Sequence, residues 1–72
     1  MLSKKEIGDN LRRLRGDRSL TKVAKDLDIS QSTLSMYETG QRIPRDECKE
    51  KLADYYGVPL TEIFFTSSSH ET

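Results

Sequence analysis

Chemically reactive residues are scarce in this sequence. Cys48 is its only cysteine, so no disulfide can close within the chain, and a thiolate zinc site would lack ligands. His70, the only histidine, lies in a polar stretch. No nucleophile with a matching base and no ligand cluster is visible, which sets catalytic and metal-dependent functions aside. No cofactor is expected. The longest apolar run is Ile63-Phe64-Phe65, far short of a membrane span or a signal-peptide core. The expected location is therefore the cytoplasm, with no membrane partner. Net charge is also missing, because 12 Lys and Arg balance 12 Asp and Glu. On its face that argues against a nucleic-acid partner.

The distribution of charge reverses that argument. Residues 1–25 carry eight basic side chains against three acidic ones, and residues 26–72 carry four against nine. A basic leading half of this kind suits either a solvated helix face or a polyanion-binding surface. With 72 residues, the chain suffices for one small domain with little core to spare. One third of the residues are hydrophobic and one third charged, a balance that fits a soluble helical module.

Hydrophobic spacing and capping signals predict five short helices and no strand. Ile7, Leu11 and Leu14 define the buried stripe of a first helix over Lys5–Arg15. Ser3 and Glu6 form a capping-box pattern before it, with Met1–Lys4 expected to fray, and Gly16 offers a stop. Ser19 caps a second helix over Leu20–Leu27, and Ser30 a third over Gln31–Glu38. A loop follows in which Gly40 can turn left-handed, and Ile43-Pro44 is extended and packs inward. The fourth helix covers Arg45–Tyr56, with Cys48, Leu52 and Tyr55 or Tyr56 facing the core beside Ala53. Cys48 reads as a small core residue and Tyr37 as a core aromatic. Asp46, Glu47, Glu50 and Asp54 read as a solvated face, or as an acidic site for a protein partner. A last helix over Leu60–Phe65 lids the core, and residues 66–72 read as a flexible polar tail after a domain of residues 1–65.

The stretch Leu20–Glu38 organises the rest. Val23, Ala24 and Leu27 recur at helical spacing, as do Leu34 and Tyr37, and only Asp28-Ile29-Ser30 separates the two runs. Helices joined by so tight a turn cross steeply. Ala24 lets them approach, and Ile29 plugs the corner. That is a helix-turn-helix, whose second helix presents its first residues to a DNA major groove.

Three segments then resemble a known family. They are I-G-D-N-L-R-R-L-R (residues 7–15), V-A-K-D-L-D-I-S-Q-S-T-L-S-M-Y-E-T-G-Q-R-I-P-R (23–45) and L-A-D-Y-Y-G-V-P-L-T-E-I-F-F (52–65). Together they resemble Cro/C1-type helix-turn-helix regulators, the xenobiotic-response-element class, over about residues 5–65. The resemblance implies an all-α, five-helix, lambda-repressor-like domain and a bacterial or phage transcriptional regulator, by family habit a repressor. Gln31 and Ser32 match positions that reach base edges, and a glutamine there can bond adenine N6 and N7 together. Thr33 and Ser35 fit base or phosphate contacts, and Met36 fits a thymine methyl. Thr39 and Arg42 resemble phosphate contacts, with Arg45 a weaker candidate. Arg15 and Glu38 correspond to an ion pair tying the first helix to the recognition helix.

Two departures from the family pattern bear on these assignments. The turn after the first helix is about two residues shorter, which leaves Arg12 or Arg13 open for the phosphate-facing position. An ordinary exposed arginine remains an equal reading of each. Leu20 stands where the family commonly has a phosphate-binding glutamine. Its backbone N–H remains for a phosphate, and Lys22 is the candidate replacement from the next turn.

A single copy would read only a few base pairs. A homodimer, formed in solution or on the DNA, on a pseudo-palindromic duplex with half-sites about 34 Å apart is therefore expected. Phe65 is surplus to the local core pattern and is the candidate dimer contact, with folding over the domain edge as its alternative. Control falls to the protein's own concentration, a regulatory protein partner or a neighbouring segment. The competing function is a protein-interaction module, of antitoxin or antirepressor-target type, that reads DNA weakly or not at all. Zero net charge and the acidic second half lean toward it.

Overall fold

The computed structural model describes residues 1–66 of the chain. Five helices follow in order: α1 Lys4–Arg15, α2 Leu20–Asp26, α3 Gln31–Glu38, α4 Asp46–Tyr56 and α5 Leu60–Phe64. No strand occurs among the described residues. The ends of these helices are fixed by local chemistry. Ser3, Ser19 and Ser30 each accept a hydrogen bond from the backbone N–H three residues on, which satisfies an amide that helix geometry leaves orphaned. Glu6 returns the bond to the Ser3 N–H at 3.1 Å, completing the capping box.

Leu2, Ser3 and Lys4, expected to fray, are held. The Leu2 N–H donates to the Phe64 carbonyl at 2.9 Å and its side chain packs on the core, so Ser3 can cap a helix that already begins at Lys4. Other boundaries shift by one residue. Leu27 and Phe65 follow α2 and α5 as C-caps, and Arg45 precedes α4 as its N-cap. Pro44 is fully buried and Ile43 only half so. Thr66 is also held, as described below, and residues 67–72 of the expected tail lie outside the described residues.

α2, α3 and α4 end in the same way. In each, an N–H reaches back five residues (Ile29 to Ala24, Gln41 to Met36, Val58 to Ala53) across a left-handed residue. Glycine fills that place after α3 and α4. After α2 it is Asp28, at φ 60°. Aspartate tolerates this region better than most residues, and here it shapes the turn between the two motif helices.

The core gathers Ile7 and Leu11 of α1, Val23 and Ala24 of α2, Leu34 and Tyr37 of α3, Leu52 and Ala53 of α4, and Ile63 and Phe64 of α5, with Leu27 closing α2. Leu14, Cys48, Tyr55 and Tyr56 are partly buried against it. Two α1 residues that lie between the large apolar ones decide how the helices dock. A Cβ on Gly8 would stand 2.5 Å from the Glu38 carbonyl oxygen and 2.8 Å from that of Tyr37. Only a residue without a side chain lets α1 lie so close to the end of α3. Asn10 is completely buried, and its Nδ2 donates to the carbonyls of Ile63 at 2.9 Å and Thr66 at 3.0 Å. It thereby caps the open end of α5 from the opposite end of the sequence.

A bidentate ion pair adds a second tie between α1 and α3. Arg15 Nε meets Glu38 Oε2 at 2.7 Å and its Nη2 meets Oε1 at 3.0 Å. The short turn after α1 is compatible with this reach, because Arg15 Nη1 also donates to the Arg18 carbonyl at 2.8 Å and draws the turn in. Both side chains are largely withdrawn from water, at 17% and 5% exposure. The pairing and the hydrogen bond it carries push the Arg15 pKa upward. Beside it, burial pushes the Tyr56 hydroxyl up to about 12.

Two substitutions test this frame. Gly8→Ala should lower stability by about 1–3 kcal/mol through overpacking against the α3 carbonyls. That loss runs against the roughly 1 kcal/mol that alanine gains in helix propensity. A thermal melt at or above the parent's would show that α1 and α3 do not touch there. Arg15→Met alone should cost about 3–5 kcal/mol, because it strands the Glu38 carboxylate. Adding Glu38→Leu should restore part of the loss in denaturant unfolding, and purely additive losses would show the pair to be uncoupled.

Candidate nucleic-acid interface

The start of α3 is open to solvent. Its buried face, Leu34 and Tyr37, is turned into the core, which leaves Gln31 and Ser32 exposed and Ser35 and Met36 half-exposed. Together with Leu20 at the start of α2, these four residues line one shallow groove. The groove presents a carboxamide, two hydroxyls, a thioether and a leucine side chain. It can therefore offer both hydrogen-bond donors and acceptors beside apolar atoms. Gln31 Oε1 accepts from the Thr21 hydroxyl at 2.7 Å.

Thr33 does not join this set. Its hydroxyl accepts from Ser30 Oγ at 2.8 Å, so it belongs to the capping structure that opens α3. Thr39 is likewise committed to a helix end. Its Oγ1 donates to the Ser35 carbonyl at 2.9 Å and accepts from Gln41 Nε2 at 3.0 Å.

The basic candidates fall into three groups. Arg42 and Arg45 are exposed and line a second cleft together with Tyr37, Cys48 and Lys51. Arg12 and Arg13 are exposed on the last turn of α1. Among the described residues none of these four arginines forms an ion pair. Lys22 differs, since its ammonium pairs with Asp26 Oδ2 at 2.9 Å. The same oxygen accepts from the Tyr55 hydroxyl at 2.7 Å. The Tyr55 hydrogen bond and the Lys22 ammonium hold the Asp26 carboxyl below its ordinary range. Lys22 is thus drawn toward its own helix rather than left free.

Arg18 and Asn10 carry weight that the sequence reading did not assign to them. The Arg18 guanidinium lies 5.6 Å and 5.5 Å from the ring centres of Tyr55 and Tyr56, fixing the turn before α2 against α4. Asn10 had a usable signal, standing three residues after Ile7 on the buried stripe where a polar side chain needs a partner. Arg18 had none, because the contact depends on how α4 returns. Phe65 is 53% exposed and Met1 61%, both beside the Leu2–Phe64 backbone bond. Among the described residues no group of three or more His, Cys, Asp or Glu could hold a metal, and no helix is long and apolar enough to cross a membrane.

Known proteins resemble this chain in sequence or in fold. The cryptic phage CTXphi transcriptional repressor RstR of Vibrio cholerae is 37% identical over 62 residues, covering 83% of this chain and 56% of the relative. The chain thus spans just over half the length of that protein. The DNA-binding domain of BldD superposes with a TM-score of 0.72 at 32% identity, over 88% of this chain and 97% of that one. The SOS-response transcriptional repressor LexA from Eubacterium rectale superposes with a TM-score of 0.84, over all of this chain and 82% of that one. At 21% identity it attests the fold alone. A family model described as a helix-turn-helix domain matches residues 6–63, and the chain belongs to that family.

Proposed function

We propose that this chain is a sequence-specific, duplex-DNA-binding transcriptional regulator that acts as a repressor, with α3 in the major groove. The observation that carries this reading is the groove of Leu20, Gln31, Ser32, Ser35 and Met36 at the open end of α3. Gln31 is suited to adenine N6 and N7, the serines to base edges, and Met36 with Leu20 to a thymine methyl. Thr33 acts through the cap and not through a base. Arg12, Arg13, Arg42 and Arg45 serve as phosphate contacts, and Thr39 joins them only by turning its hydroxyl proton away from the Ser35 carbonyl. Lys22 contributes only on leaving Asp26. The name of RstR supports repression, and the BldD domain supports DNA as the ligand.

The functional unit is a homodimer on a pseudo-palindromic operator, in the cytoplasm and on the nucleoid when DNA-bound. Phe65 is its candidate contact, because an aromatic ring this exposed offers apolar surface to a second copy. A regulatory protein partner is a further candidate, through the acidic face of α4.

Selection of bound sites from a random duplex library, at two salt concentrations, tests the reading. The expected result is an enriched, two-fold-related motif. Gln31→Ala should lose preference at one or two base pairs, equivalent to about 1–3 kcal/mol of discrimination, while the fold is kept. An unchanged motif would remove Gln31 from the readout, and no motif at all would favour the protein-interaction module. Arg42→Ala should weaken binding to every sequence alike and reduce the slope of log K against log salt by about 1. An unaltered slope would return Arg42 to the solvated surface.

A further inference from the structure

The amide of Gln31 is not free. Its Oε1 accepts from the Thr21 hydroxyl at 2.7 Å, and among the described residues this is the one side-chain hydrogen bond between α2 and α3. A long carboxamide at an exposed helix start would otherwise sample several rotamers, and its last torsion is broad and roughly two-fold. Rotation about that torsion exchanges donor for acceptor with almost no change of shape. Base recognition needs the opposite: one end accepting and the other donating in a set order.

The frame around the pair is stiff. The Asp28 turn fixes α2 to α3 through the bonds of Asp28 to Lys25 and Ile29 to Ala24. Ser30 fixes the first turn of α3 through the Thr33 N–H at 3.0 Å. The separation of Thr21 from Gln31 is thus set by backbone, not by chance meeting of two mobile side chains. Leu20, the α2 residue that lines the groove, has no polar atom in its side chain with which to do the same. With Oε1 turned to Thr21, both Nε2 hydrogens and one Oε1 lone pair stay available to a base.

Resting on the DNA-reading function above, we infer that Thr21 is a positioning residue for base readout. Its hydroxyl orients the Gln31 carboxamide before DNA arrives, so discrimination at the Gln31 base pair depends on an α2 residue that touches no base. Part of the ordering cost of binding is thereby met in the free protein.

The test uses the site selected by the parent chain and its variants at the base pair that Gln31→Ala relaxes. Thr21→Val keeps the branched shape and removes the donor, whereas Thr21→Ser keeps the donor. Thr21→Val should reduce discrimination at that base pair by about three- to ten-fold, the range of one net hydrogen bond, with the salt slope unchanged. Thr21→Ser should stay within about two-fold of the parent. In a Gln31→Ala background, Thr21→Val should add nothing. Thr21→Ala runs through the same arms should the valine variant fail to fold.

Parental discrimination in Thr21→Val overturns the inference and leaves DNA reading intact. An equal loss in the Gln31→Ala background also overturns it, by making Thr21 a contact in its own right. A parent that selects no site overturns both.

Discussion

The docking of α1 on the end of α3 is the constraint from which the rest of the molecule follows. Helix C-termini leave carbonyls without intrahelical partners, and α1 presents Gly8 to those of Tyr37 and Glu38 where any side chain would collide. Close approach then lets Ile7 and Leu11 enter the core beside Leu34 and Tyr37. It also brings the Glu38 carboxylate within reach of Arg15. The helix proposed to enter DNA is therefore clamped at its far end, while its first turn is held by Ser30 and stays open. Rigidity at one end and exposure at the other are what a reading helix requires.

The same division governs the charges. Arginines at 12, 13, 42 and 45 are exposed and unpaired among the described residues, whereas Arg15, Arg18 and Lys22 are absorbed by Glu38, two tyrosines and Asp26. Net neutrality thus conceals two populations of cation, one structural and one available. A whole-chain balance of zero says little about the field over one face.

Much of this was legible in the sequence because the signals are local. Three serines at helix starts, glycines after α3 and α4, and apolar spacing within each helix delimit the elements to within a residue or two. The groove residues other than Leu20 were also named from sequence, through their place at the start of α3. Less legible were contacts between distant segments. Gly8 interrupts a good helix former's pattern for a reason that lies thirty residues away, at Glu38. Ala24, the expected spacer between α2 and α3, is buried, and a close backbone approach of α1 to α3 at Gly8 stands beside it. Position alone suggests Lys22 and Thr33 as DNA contacts. Their partners, Asp26 and Ser30, are local, but a side chain's choice between a neighbour and a ligand is not written in spacing.

Asn10 joins the first helix to the last across more than fifty residues, with Leu2 adding a second link to Phe64. During synthesis the amide of Asn10 emerges long before its acceptors exist. The helix-turn-helix can form early from contacts within the leading part of the chain, but α1 cannot be closed until Thr66 has left the ribosome. A nascent chain short of that point carries an open apolar flank where α5 belongs, the kind of surface that invites aggregation.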